Sequence, residues 1–274
     1  MAEPIPGEPI RNLRVQEALD VWATEKNNRT FSDVLRRLVS GELLLDISTS
    51  QIADRTVGPQ GGDRLAIASQ LDNAGKRVLL AYTDNERLAA RTPQNTLSLG
   101  QPAYGVIEQA LREYEGLVID AGHPGMFIAY TQEIRQGLGA EPAAAARLAR
   151  ELVERNLPFT EVLNGLALAP VYIPVEAQRD ESGAVTAVSV LTVRGREGEK
   201  LSAFFTSPSE LWAWAPEVEA RPTRLQNVAR VALQEGHAGA VLNAAGPATV
   251  LPPPMLAQYA ADAPEPDAPG PAAG

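Results

Sequence analysis

The chain has 274 residues, 45% of them hydrophobic, and its 24 basic against 34 acidic side chains leave a formal charge of −10. Without cysteine it has no disulfide, no thiolate-bound metal and no cysteine nucleophile, and the acidic balance opposes general binding to phosphate backbones, which needs cationic contacts. Only His123 and His237 are available for imidazole chemistry; no stretch approaches the ~20 apolar residues of a membrane-spanning helix, and the start MAEPIPGEPI lacks the pattern of a secretory signal. The expectation is a cytoplasmic protein with neither membrane nor nucleic acid as partner.

In chain order, residues 1–12 read as a flexible lead. Val15, Leu19 and Trp22 then recur at near-helical spacing, and Ser32 is an acceptable N-cap for a short second helix. Apolar 43–47 reads as a strand, and 64–70 with 77–82 as a hairpin around Asp72-Asn73-Ala74-Gly75. Helices are predicted from Thr83 and from Pro102, whose missing N–H costs nothing in a first turn. The buried run 116–119 ends in the turn Asp120-Ala-Gly-His123-Pro-Gly125, and 126–130 returns as one more strand.

The pattern then restarts. Ala-rich 140–154, with Leu148, Leu152 and Val153, supplies a leading helix, and Thr160 caps the next. Strands are predicted at 171–175, 185–193 and 201–205, with Gly195-Arg196-Glu197-Gly198 as a connector. Helices from Ser207 and near Arg224 follow, then a buried strand closed by Gly246-Pro247. The stretch 254–274, rich in Pro, Ala, Gly and acid, reads as a disordered tail, because it lacks the apolar content that offsets ordering; Met255, Leu256 and Tyr259 are its candidates for local docking.

The restart is a repeat. One register lays Lys76–Leu88 over Glu199–Leu211 and, without a gap, Gly116–Pro124 over Gly239–Pro247. Phe31–Leu35 lies over Phe159–Leu163 and Leu45–Ile47 over Ile173–Val175 once a single five-residue loss is allowed. Four blocks in chain order with one indel imply duplication. The fold expected is α/β: two tandem copies of a small domain at 13–138 and 139–253, each a mixed β-sheet flanked by helices.

The motifs Leu80-Ala-Tyr-Thr-Asp84, Ser98-Leu-Gly-Gln-Pro102 and Gly116-Leu-Val-Ile-Asp-Ala-Gly-His-Pro-Gly125 resemble the SseB-like family, named for an enhanced-serine-sensitivity phenotype. The likeness covers most of residues 30–135, and the second half is similar to a more diverged copy. The resemblance implies the fold and carries over no established catalytic residue.

Three places are candidate binding sites. Tyr82 and Asp84, beside Thr83 and Glu86, stand at a strand end where open α/β sheets take ligands, although Thr83-x-x-Glu86 also fits a capping box. Asp120 and His123 on a glycine-rich turn are able to share a proton or hold a metal. No third or fourth ligand accompanies them, and a turn in which Asp120 or its counterpart Asn243 binds backbone N–H groups accounts for both copies. Trp212 and Trp214 concentrate aromatic surface in the second copy, as binding anchors or as core. No phosphate loop, nucleophile elbow or paired-histidine motif is present, so no metal, cofactor or catalytic residue is assigned. What the copies share is structural. The expected function is therefore a non-enzymatic binding or adaptor protein with a protein partner or a second copy, linked through its family to serine tolerance. The competing reading is a small-ligand sensor or enzyme built on Tyr82, Asp120 and His123, and a ligand-free homodimer is the third.

Overall fold

The computed structural model describes residues 10–54, 57, 59–91, 93, 96–139, 142–179 and 185–261, and its contacts divide the chain into two units, Met1–Phe159 and Thr160–Gly274. In the first, α1 (Leu13–Thr24) and α2 (Asn28–Arg37) precede β1 (Glu42–Asp46), β2 (Ser69–Leu71) and β3 (Arg77–Tyr82). Next come α3 (Asn85–Arg91), β4 (Ser98–Pro102), α4 (Ala103–Glu113), β5 (Gly116–Ile119), β6 (Phe127–Tyr130), α5 (Thr131–Leu138) and α6 (Pro142–Glu154). The strands lie in the order β4-β1-β3-β5-β6, with β2 on β3. β3 and β5 are parallel and every other pair is antiparallel.

Side chains alternate across a strand, and here both faces are covered. Leu43, Leu45, Leu79, Ala81, Leu117, Ile119 and Phe127 join the main core with residues of α1, α2, α4 and α5. Leu44, Val78, Leu80, Tyr82 and Val118 form a smaller core on the opposite face, with Leu88 of α3. This is why the strands read as unbroken apolar runs.

α1 is fastened by residues far from it in sequence. The rings of Trp22, Phe31 and Phe127 meet at 5.0–5.9 Å. The Gln16 amide donates to the Thr83 hydroxyl at 3.0 Å and to Asp84 at 2.6 Å. Asn12 donates its backbone N–H to the Thr83 carbonyl at 2.9 Å, and its side chain to Ser40 and Glu42 carbonyls. Residues 10–12 are thus tied down where the sequence suggested a flexible lead.

In the second unit α7 (Phe159–Leu168) leads to β7 (Val171–Arg179), β8 (Val185–Val190), β9 (Thr192–Arg194) and β10 (Lys200–Phe204). α8 (Pro208–Trp214), β11 (Glu219–Thr223), α9 (Leu225–Gln234), β12 (Gly239–Leu242), β13 (Thr249–Leu251) and α10 (Pro253–Ala260) follow. Reciprocal backbone bonds between Tyr172 and Phe205, at 2.9 and 2.8 Å, join the ladders β11-β7-β8 and β13-β12-β10-β9. The resulting path β11-β7-β10-β12-β13 repeats the order of the first unit. So does its register: Val78 faces Gly116 and Leu201 faces Gly239 in the parallel pairs, while Leu44 opposes Tyr82 and Tyr172 opposes Phe205 in the antiparallel ones.

Several local expectations shift. α2 begins at Asn28 and not at Ser32, because the Asn27 side chain accepts from Arg29 and Thr30 N–H groups and the Thr30 hydroxyl accepts from Asn27 N–H. Of 64–70 only the end enters β2; Arg64 instead bridges Gln51. The run 185–193 splits, β8 pairing with β7 and β9 with β10. Residues 254–260, expected in a structureless tail, are helical: Leu256 is fully buried and the Tyr259 hydroxyl donates to Asn164 at 3.1 Å. Residues 1–9, 140–141 and 262–274 lie outside the described residues. α6, which the repeat assigns to the second copy, lies within the first unit, where Ala146 and Ala149 enter the main core and the Arg150 guanidinium stacks on Tyr104 at 5.4 Å.

Candidate functional site

The parallel strands β3 and β5 end side by side, and there the chain must turn twice. Asp120 continues β5 in the left-handed region at φ 53°, and Asn243 does the same after β12, also at φ 53°. Aspartate and asparagine tolerate this conformation better than other non-glycine residues. The turns that follow differ in detail. His123 N–H closes onto the Asp120 carbonyl with Gly122 at φ 88°, whereas Gly246 N–H closes onto the Asn243 carbonyl and Gly246 itself takes φ 94°.

The left-handed backbone aims each side chain at the neighbouring strand end. The Asp120 carboxylate, fully buried, accepts from the Thr83 N–H and the Thr83 hydroxyl, both at 2.8 Å, and pairs with Arg87 at 2.5 Å. In the second copy Asn243 Oδ1 accepts from Thr206 N–H at 2.9 Å, and its amide donates to the Thr206 hydroxyl at 3.1 Å. The same join is made with a charge in one copy and without it in the other. Sequence reasoning anticipated an Asp or Asn bonding to backbone, but within its own turn; the partner lies across the sheet.

Thr83 is therefore not a helix cap. Its hydroxyl is committed to Asp120, and Asp84 caps α3 instead, accepting from Arg87 N–H at 2.8 Å. Ser207, the counterpart of Asp84, caps α8 by accepting from Glu210 N–H at 3.2 Å. The expected box is thus displaced by one residue in the first copy, and Asp84 gains a second task in holding Gln16 of α1.

Tyr82 lies wholly in the smaller core, where its counterpart is Phe205, also fully buried. Its hydroxyl has no hydrogen-bond partner among the described residues, and burial pushes the phenol up to about 12, so it stays protonated at neutral pH. His123 is half-buried and its Nδ1 accepts from Gly125 N–H at 3.2 Å. Asp120 and His123 thus have separate partners, and neither bonds to the Tyr82 hydroxyl. In the second unit the Trp212 indole donates to the Val218 carbonyl at 3.1 Å, and Trp214 packs on Phe205 at 5.6 Å, both half-buried against that unit's own cluster of Tyr172, Leu201, Phe205, Leu211 and Val241. Among the described residues no group of three or more His, Asp or Glu side chains is placed to hold a metal ion.

Two features escaped the sequence. Ser202 and His237 meet at 2.8 Å, both buried, with His237 Nε2 lacking a partner among the described residues. Their counterparts are Leu79, in the main core, and Tyr114, half-buried beside it, so the pair puts a hydroxyl and an imidazole where the first copy has a leucine and a tyrosine ring. Burial, and secondarily the charge of Lys200, pulls the His237 pKa below its ordinary value. The neutral imidazole is favoured in the folded state, so its contribution to stability is complete above the unfolded pKa of about 6.5 and declines as pH falls below it. Urea unfolding of the protein between neutral pH and pH about 5.5 is expected to show this loss, and His237→Gln is expected to flatten it; equal slopes for both proteins would contradict the assignment.

The second feature is an open cleft of about 550 Å³ at the opposite end of β3 and β5, lined by Lys76, Tyr114, Glu115, Tyr130 and Glu133. The Lys76 ammonium sits 4.3 Å from the centre of the Tyr130 ring, and the Tyr130 hydroxyl donates to Asp72 at 2.7 Å, which holds that carboxyl below its usual range. At the corresponding positions the second copy has Glu199, His237, Ala238 and Pro252. The only sequence signal for the cleft was that divergence between copies.

The SseB protein N-terminal domain model matches the chain twice, over residues 15–136 and 143–258. No curated protein and no solved structure matches it.

Proposed function

The chain belongs to the SseB protein N-terminal domain family through both of its halves, and from that premise we propose that it is a non-enzymatic binding protein of adaptor type. One observation carries the reading: the join through Asp120 is reproduced by the uncharged Asn243, so the residues most suggestive of chemistry serve the scaffold in both copies. Specificity then resides where the copies differ. The cleft around Lys76 and Tyr130 has the size of a ligand or peptide-side-chain pocket, and tyrosine is a frequent anchor in protein interfaces. The Trp212–Trp214 corner, half-buried at the edge of the second unit's core, is the second divergent surface and replaces Ala89 and Arg91.

In this reading the recognised partner is a protein, the protein works in the cytoplasm, and the family's serine phenotype follows from that binding event. Among the described residues no helix is long and apolar enough to cross a membrane. The test is affinity capture from native lysate with the full chain, its Lys76→Glu variant and its Asp120→Asn variant. A stoichiometric protein companion retained by Asp120→Asn and lost with Lys76→Glu supports the proposal. No companion on the unmodified chain, or one lost only with Asp120→Asn, overturns it and favours a site in the Tyr82, Asp120 and His123 region.

A further inference from the structure

β7 and β8 extend beyond β11 as a two-stranded arm. β11 covers β7 only as far as Val175, while the β7–β8 ladder continues through Glu176, Ala177 and Gln178. Residues 186–190 are all exposed, and among the described residues β8 pairs with β7 alone. An isolated ribbon of two strands is marginal in water, and an open, uncharged edge is a template for another strand.

The register fixes what that edge offers. Leu191 N–H donates to the Pro174 carbonyl at 2.9 Å, so Leu191 is in a hydrogen-bonded pair. By the alternation of antiparallel ladders Ser189 and Ala187 also bond inward, leaving the N–H and C=O of Val188 and Val190 pointing away from β7. The side chains of those same two residues lie on one face beside Val175 and Ala177, their ladder partners, and are 47% and 45% exposed. Donors, acceptors and apolar surface are thus offered together.

We propose that β8 pairs antiparallel with β8 of a second copy about a two-fold axis at Ser189. Val188 then faces Val190 of the other copy and the reverse, giving four backbone hydrogen bonds and one cluster of four valines, with the two Ser189 residues opposite each other in a non-hydrogen-bonded site. A two-fold contact of this kind is self-complementary and closes without further growth. Charge favours it. Val185–Val190 contains no ionisable residue, and Glu176 on β7 meets its symmetry mate only across three interstrand spacings, about 14 Å, beyond the Debye length of about 8 Å at physiological salt. The contact is smaller than a stable interface of roughly 1,200 Å², so the dimer is weak and concentration-dependent. It stands independently of the adaptor reading.

The absence of cysteine from the chain gives a clean probe. Residues opposed in a non-hydrogen-bonded site lie about 4.5 Å apart at Cα, within disulfide range. Ser189→Cys is expected to give a disulfide-linked dimer on mild oxidation at least tenfold faster than Val250→Cys, a cysteine at an exposed site on β13. Sedimentation of the unmodified protein is expected to show twice the mass of one chain at high micromolar concentration. Val190→Pro, which removes an N–H not used by β7, is expected to give single chains with unchanged circular dichroism. Single chains for the unmodified protein at every concentration, or equal crosslinking rates for the two cysteine variants, would overturn the proposal.

Discussion

Asp120→Ala is expected to destabilise the protein by about 3–5 kcal/mol, the cost of stranding the partners of a buried ion pair. Three bonds vanish at once, those from the Thr83 N–H, the Thr83 hydroxyl and the Arg87 guanidinium, and alanine also fits poorly at φ 53°. Asp120→Asn is expected to cost less, about 1–3 kcal/mol, because Asn243 already makes the equivalent join with Thr206 in the second copy. What asparagine cannot replace is the buried counter-charge for Arg87, whose side chain is 14% exposed and whose other carboxylate, the exposed Asp20, lies at 3.8 Å. Urea unfolding of the full chain separates the two variants. Equal losses for Ala and Asn would mean that the charge alone matters; a loss under about 1 kcal/mol for Ala would mean that the carboxylate does not hold the strand ends together.

The second large effect is at Phe127. It is fully buried and completes the ring cluster with Trp22 and Phe31. Phe127→Ala is expected to cost about 3–5 kcal/mol and to loosen α1 selectively, exposing its amides to hydrogen exchange before those of β3 and β5. By strand register the second-unit counterpart is Thr249, which opposes Leu242 as Phe127 opposes Ile119. Thr249 is half-buried, and Thr249→Ala is expected to stay within about 0.5 kcal/mol of the unmodified protein. A small loss for Phe127→Ala would mean that α1 is held by its polar contacts.

The same comparison explains where α6 lies. Aligning Val15 with Leu148 and Leu19 with Leu152 sets Gln16 over Ala149 and Trp22 over Arg155. With Phe127 replaced by Thr249, the amide tether and two of the three rings that fasten α1 are missing from the second copy. α6 keeps an amphipathic pattern but not the anchors, and within the first unit it finds a small-residue fit through Ala146 and Ala149. Local periodicity states that a helix forms and which stripe is apolar; it does not state which body the stripe covers. The duplication and the succession of elements along the chain were legible because apolar runs, turn residues and their spacing are local signals that both copies repeat. The splitting of 185–193 into β8 and β9 was not, since two strands with different partners look like one long apolar run.

At the candidate site the residue types were legible and their pairings were not. An aspartate on a glycine-rich turn announces a backbone-binding role, but Thr83 and Asp120 are far apart in sequence, and only the parallel pairing of β3 with β5 brings them together. Thr83 and Asp84 are both competent N-caps. The demand of Asp120 for the Thr83 hydroxyl decides between them, which is a tertiary effect. Ser202 and His237 stayed hidden for the same reason.

One structural join closes both sheets, and amide hydrogen exchange of the unmodified protein reads it directly. Thr83 and Thr206 N–H groups, bonded to Asp120 and Asn243, are each expected to exchange as slowly as the central amides of β3 and β10. Rapid exchange at either threonine while its neighbouring strand stays protected would contradict the claim that both copies close their sheets in the same way.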